Sequence, residues 1–398
     1  MKLLVVHPGH GFSTDDCARG LIGGLEDAGH EVIEYKNDVR LRTAGMKLNM
    51  MWKATGSSEA NKPSFEGVMY EAGVHVYDEV LRHNCEAVVV INGELFHPAH
   101  ALKLRKLGIP VGLWLTESPY RDEFYWASAA AYDIVWTNER STVPVYGEKI
   151  SQQKIRNTRA VYYLPTGYNP REHYPRAVDY GLPEHDVLFV GSGFIERVAM
   201  LQGVNWSGID LALYGVWAFT GSRTTPKRLN MKLGKAWHAW QTMRRWMGDR
   251  DVSPLTRFVK GSVIKNKDAV GLYTRAKINL DLARTTTTDG RDATHVAMPE
   301  SMGPRLKELA AIGAFVIAEW RPEIEETFGD LVPTFRTPAE LEAQVRYWIE
   351  RPAEREAKAA QLPDAVRAFS YREIAERLAA HLAHHLQEVK PHVQPVLS

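Results

Sequence analysis

The sequence is poor in cysteine, has no long hydrophobic run and carries almost no net charge. Cys17 and Cys85 are the only cysteines in 398 residues, which excludes a disulfide framework and any cysteine-based metal spacing. Apolar runs such as AVVVI (87–91) fall far short of the roughly 18 residues a membrane span needs. The apolar stretch after Met1 is cut by His7-Pro8-Gly9, too short for a secretory-signal core, and reads as a first strand. A cytoplasmic location is therefore expected. A formal charge of +1 with 44% apolar residues excludes an intrinsically disordered chain. At roughly 100–200 residues per domain, the length predicts two domains.

What is present is alternation. KLLVV (2–6), EVIEY (31–35), AVVVI (87–91), VGLWL (111–115) and DIVWT (133–137) read as strands, with helical patterns at 15–28, 68–83 and 98–107. The pattern restarts after a Pro- and Tyr-rich stretch, with DVLFV (186–190), DLALY (210–214), INLDL (278–282) and AFVIA (314–318), and helices at 266–276 and 304–312. Strands alternating with helices predict an α/β fold with parallel sheets. Continuously apolar strands fit sheets covered on both faces. Two Rossmann-like domains follow, over 1–165 and 166–365. A helical segment, 366–398, ends the chain's pattern. In that segment His381 and His385 form an i, i+4 pair that could bind metal. Without a third ligand nearby, a partly solvated helix face is the preferred reading.

Ligands of open α/β sheets bind beyond the carboxyl ends of strands. There, Gly191-Ser192-Gly193 follows DVLFV. The glycines let backbone N–H groups approach a phosphate, although the same sequence also makes a plain tight turn. A sharper pattern lies in MPESMGPRLKELAAIGAFVIAEW (298–320), where Glu300 and Glu308 bracket Gly303-Pro304. Pro304 suits the first turn of a helix, whose positive end would face an anion. Arg305 shares a helix face with Glu308. Arg284 either meets phosphate or pairs with an acid. In HPGHGFSTDD (7–16), His7, His10, Asp15 and Asp16 offer acid–base groups; the competing reading is a packed turn with Asp15 capping the helix.

These elements resemble those of the CgeB-like (spore maturation protein-like) glycosyltransferases of the GT-B fold. LWLTESPY (113–120), YDIVWTNERSTVPVY (132–146), YLPTGYNPREHYP (163–175), DVLFVGSGFIERVAML (186–201) and RLKELAAIGAFVIAEWRPEIEETF (305–328) occur in that family's order. The resemblance implies two Rossmann-like domains facing a central cleft, an acceptor domain over 1–165 and a nucleotide-sugar domain over 166–365, with the segment 366–398 crossing back to the first. It also implies transfer of a sugar from a nucleotide-diphosphate sugar, a UDP-sugar first, with retention preferred. It assigns Glu308 to the donor ribose and Glu300 to the donor sugar. Gly191, Ser192 and Gly193 would line the phosphates beside Gly303 and Pro304, with Arg305, Lys260 and Arg284 as cationic partners. Glu117 is the leading catalytic carboxylate, with His10 and Asp15 as further catalytic candidates, and His7 and Tyr120 are assigned to the acceptor. No metal and no cofactor beyond the donor is required. The other reading is a non-catalytic nucleotide-sugar-binding protein.

The sequence departs from the family at 219–260, which carries ten basic residues against Asp249 and Asp251. Trp237, Trp240, Met243, Trp246 and Met247 recur there at helical spacing among Lys232, Lys235, Arg244 and Arg245. Three readings are open: a helix docking its Trp face, a surface facing a polyanion, and peripheral membrane binding. On the polyanion reading Trp240 stacks on a base while Arg244 and Arg245 meet phosphates. The acceptor would then be a nucleic acid such as phage-type DNA with hydroxymethylated bases; otherwise it is a glycan, protein or small molecule. The oligomeric state is left open.

Overall fold

The computed structural model describes residues 1–9, 14–217, 254–261, 264, 266–284, 296 and 298–389. Their described parts form two compact units. One comprises Met1–Gly167, Ala293–Ser301 and Phe369–Ser398; the other comprises Tyr168–Asp292 and Met302–Ala368.

The first unit is built on β1 (Lys2–His7), β2 (Glu31–Lys36), β3 (Ala87–Ile91), β4 (Val111–Leu115), β5 (Ile134–Thr137) and β6 (Ala160–Tyr163). All are parallel, in the order β2-β1-β3-β4-β5-β6. Successive side chains point to opposite faces, and both faces are apolar. Leu4, Val6, Val88, Val90, Leu113 and Val135 join one buried cluster, and Leu3, Val5, Val89, Trp114, Ile134 and Trp136 join the other. The second cluster is closed by the helices Asp15–Asp27 and Tyr371–Val389. Those helices touch where a Cβ at Gly20 would strike the Tyr371 ring and one at Gly24 its carbonyl. Glycine is what lets them approach.

This corrects the expectation of a solvated histidine face at the C-terminus. His381 accepts a hydrogen bond from Trp136 Nε1 at 3.0 Å and stacks on Tyr162, and burial lowers its pKa. His385 is buried with Nε2 3.6 Å from Asp133. Only His384 of the three faces outward. The cause is the length of the helix, whose inner face reaches across the sheet to its β5 and β6 edge.

The second unit contains β7 (His185–Val190), β8 (Leu211–Tyr214), β9 (Val259–Gly261), β10 (Ala276–Asp281), β11 (Val316–Glu319) and β12 (Thr334–Phe335). These strands are also parallel, in the order β12-β11-β10-β7-β8-β9. The order reverses between β7 and β10, and a doubly wound sheet opens a ligand crevice at such a point. Among the described residues no helix is long and apolar enough to cross a membrane.

Candidate functional site

At the reversal in the second unit, two strand ends diverge and one arginine spans them. Arg197, on the helix Ile195–Gln202 after β7, donates from Nη1 to the Ser192 carbonyl at 3.0 Å. Its Nε donates to the carbonyls of Leu282 and Ala283 beyond β10, both at 3.1 Å. The guanidinium lies over the rings of Phe189 and Phe194. Arg305 also covers Phe189, and Arg284 covers Phe194. Three cations thus share one aromatic floor, which concentrates positive potential there.

The glycine turn is arranged differently from the sequence expectation. The N–H of Gly191 donates to the Tyr214 carbonyl at 2.8 Å and that of Gly193 to Val216 at 2.9 Å. These amides complete the junction between β7 and β8 and are not aimed at a phosphate. What the turn supplies is close approach. A Cβ at Gly191 would strike Arg305, and one at Gly215 (φ +137°) would strike the Gly191 carbonyl.

The helix Pro304–Ala311 starts at Pro304 as expected, with Gly303 as its cap. Anions are favoured at such an end. Glu308 is buried on this helix at 6% exposure. Arg305 lies 3.7 Å from Asp281 Oδ1 at the end of β10. The entry to the helix is held on both sides of Met302. Its N–H donates to buried Glu323 at 2.7 Å, and its carbonyl accepts from the fully buried Lys307 at 3.1 Å. Glu319, at the end of β11, accepts the Ala283 N–H at 2.9 Å. Burial raises its pKa, with the Ala283 bond and Arg321 opposing.

In the first unit, the strand ends carry a polar network. Asn92, after β3, accepts from the N–H and hydroxyl of Thr116, after β4, at 2.8 and 2.9 Å. Half-buried Glu117 follows Thr116, and its carbonyl accepts the Tyr120 N–H. Ser118 N–H donates to Asn138 beyond β5. Buried His7 ends β1, 3.6 Å from Glu34. Asp15 is the first residue of its helix, with Thr14 at the cap position, and pairs with Arg19 at 3.2 Å. Glu300 also belongs to this unit, paired with Arg140 at 2.8 Å.

Of the expected donor residues, Gly191, Ser192, Gly193, Arg284, Arg305 and the Gly303–Glu308 segment all lie at the carboxyl edge of the second sheet. Lys260 does not. Its ammonium turns to Asp210, 3.7 Å away at the amino-terminal end of β8. His10, Trp240, Arg244 and Arg245, with most of the basic segment, lie outside the described residues. Asn92, Asp281 and Glu319 were missed by sequence reasoning. Their shared signal is a polar residue at or just past an apolar strand. A cavity of about 820 Å³ opens elsewhere in the second unit, lined by Trp320, Glu325, Tyr347, Trp348 and Lys358 among others. Trp320 there donates to Glu325, and Trp348 to Gln344. Those groups satisfy one another, so the cavity is not taken as the site. Among the described residues no group of three or more His, Cys, Asp or Glu is placed to hold a metal.

Residues 196–380 match the family described as glycosyl transferase-like. The matched stretch begins at Glu196, beside Arg197, and includes Arg284, Arg305 and Glu308. The match supports sugar transfer without specifying donor or acceptor. No curated protein matches the sequence. Among solved structures, the chain is similar to sucrose-phosphate synthase from Thermosynechococcus elongatus, at 13% identity and a TM-score of 0.61, covering 98% of this chain and 100% of that one. It is similar to α,α-trehalose 6-phosphate synthase from Burkholderia multivorans, at 14% identity and a TM-score of 0.57, covering 99% of each. It is also similar to an α-glucosyltransferase in complex with UDP-glucose and DNA containing an abasic site, at 10% identity and a TM-score of 0.58, covering 96% and 99%. These likenesses show the fold: GT-B, with two Rossmann-like units.

Proposed function

We propose that the protein is a glycosyltransferase that takes its sugar from a UDP-sugar bound at the carboxyl edge of the second unit's sheet. The observation that carries this is the aromatic floor with Arg197, Arg284 and Arg305 beside the helix start at Pro304, all inside the matched stretch. Arginines and helix N–H groups suit a diphosphate. Buried Glu308 suits the ribose hydroxyls, and Glu300 the donor sugar. Glu117 is the carboxylate proposed at the chemical centre, where a base must reach the acceptor hydroxyl. The bracketing of Gly303-Pro304 by two glutamates, as in the CgeB-like pattern, supports retention of configuration.

DNA with hydroxymethylated bases is the acceptor to test first. The basic, Trp-bearing segment at 219–260 and the DNA-bound structural neighbour support it. The experiment incubates the protein with UDP-glucose or UDP-N-acetylglucosamine, with and without such DNA, and follows UDP release. Acceptor-dependent release is expected. Nucleotide-sugar binding without turnover on any acceptor would favour a binding protein, and no binding would overturn the proposal.

A further inference from the structure

We infer that Glu139 and Arg140 are positioning residues that fix Glu300 in the first unit; the inference rests on the assignment of Glu300 to the donor sugar. Glu139 lies just past β5 and is 1% exposed. One of its oxygens accepts the N–H and hydroxyl of Ser141, at 3.1 and 2.8 Å. Those two bonds alone would make it a local cap. Its carboxylate reaches further, accepting the Glu300 N–H at 2.9 Å and the Ser301 N–H at 3.1 Å, across 161 and 162 residues of chain. Arg140 completes the hold. Its Nε donates to Glu300 Oε2 at 2.8 Å, and its N–H donates to the Ser301 hydroxyl at 3.0 Å. The backbone and side chain of Glu300 are therefore fixed by two consecutive residues.

Charge-assisted bonds of this kind are short and directional. Small displacements of a group that contacts substrate are costly, because binding and reaction depend on its geometry. A glutamine at 139 would keep the volume but offer one acceptor oxygen, and its NH₂ would oppose the incoming amides. Glu300 would then lose its fixed place.

The test is calorimetric titration of UDP and of UDP-glucose, read as the ratio of the two affinities, which isolates the sugar's share. Glu300→Gln is expected to lower the ratio for UDP-glucose over UDP roughly tenfold, the scale of a lost hydrogen bond to a charged group. Glu139→Gln and Arg140→Gln should each lower it in the same direction with UDP affinity unchanged. If Glu139→Gln fails to fold, the part-exposed Arg140→Gln carries the test. Adding either change to Glu300→Gln should lower the ratio no further, because they act through Glu300. Wild-type ratios in both positioning variants, with the ratio lost in Glu300→Gln, would overturn the inference. So would additive losses in the double variants. A wild-type ratio in Glu300→Gln would instead remove the assignment of Glu300 itself, and the inference with it.

Discussion

The Nε of Arg197 donates to the carbonyl oxygen of Leu282 at 3.1 Å, joining the ends of β7 and β10. The two residues are 85 positions apart, and the bond crosses the point where the strand order reverses. One side chain thus ties the floor of the proposed site and supplies part of its charge.

Replacing Arg197 by Ala should therefore weaken both the fold and the nucleotide. Three carbonyls lose a charged donor, and such bonds are worth about 1.5–3 kcal/mol. Lysine keeps the charge but lacks the planar fork. Arg197→Lys should recover part of the UDP affinity while leaving the melting temperature low. Thermal unfolding and UDP titration read the two effects separately. UDP affinity equal to wild type in Arg197→Ala would take this residue out of the site.

Glu308→Ala tests the ribose contact. A hydrogen bond from a hydroxyl to a carboxylate contributes about 1.5–3 kcal/mol, so UDP affinity should fall roughly 10- to 100-fold. Glu308→Gln keeps the buried volume and should lose less. Titration calorimetry with UDP measures both, and unimpaired binding in the alanine variant would reassign the helix.

The legible parts of the fold were mostly those buried on both sides, with the exposed edge strand β2 the exception. Each strand read from an apolar run is present, because continuous burial leaves a continuous apolar signature. The strands that escaped, β6, β9 and β12, all lie at sheet edges, and β9 and β12 are only three and two residues long. The helix Asn37–Ala54 escaped for a related reason. Its buried residues are Asn37 and Ala44 alone, while Val39, Met46, Met50 and Met51 are exposed, so no apolar face repeats at helical spacing. In the site, Arg305 and Glu308 were legible because their spacing is local to one helix. The roles of Arg197 and Glu139 were not, since each is defined by a partner 85 or more residues away.

Glu319 should leave a signature in the pH dependence of stability. Burial raises its pKa in the folded protein, so that over the interval above the ordinary carboxylate range the folded state binds the proton and the unfolded chain does not. Stability therefore falls as pH rises through that interval, and the loss persists above it. Glu319→Gln can still accept the Ala283 N–H but never ionises. Its melting temperature should exceed wild type by more at pH 7 than at pH 4. A difference that is the same at both values would show that Glu319 ionises no differently on folding.

The basic segment tests the proposed DNA acceptor. If it faces DNA, each neutralised phosphate releases a counterion, and affinity falls with salt by about 0.9 in log–log slope per contact. Arg244→Ala with Arg245→Ala should then weaken DNA binding and flatten that slope by roughly 1–2, leaving UDP affinity unchanged. Trp240→Ala should cost about 1–3 kcal/mol of DNA affinity if the ring stacks on a base, with no change in melting temperature. A helix that docks its Trp face on the protein gives the opposite pattern: Trp240→Ala lowers the melting temperature, and the arginine pair is silent. The two patterns share no outcome. Titration of duplex and single-stranded DNA at several salt concentrations, beside thermal unfolding, separates them. DNA binding that depends on neither substitution would place the acceptor elsewhere on the molecule.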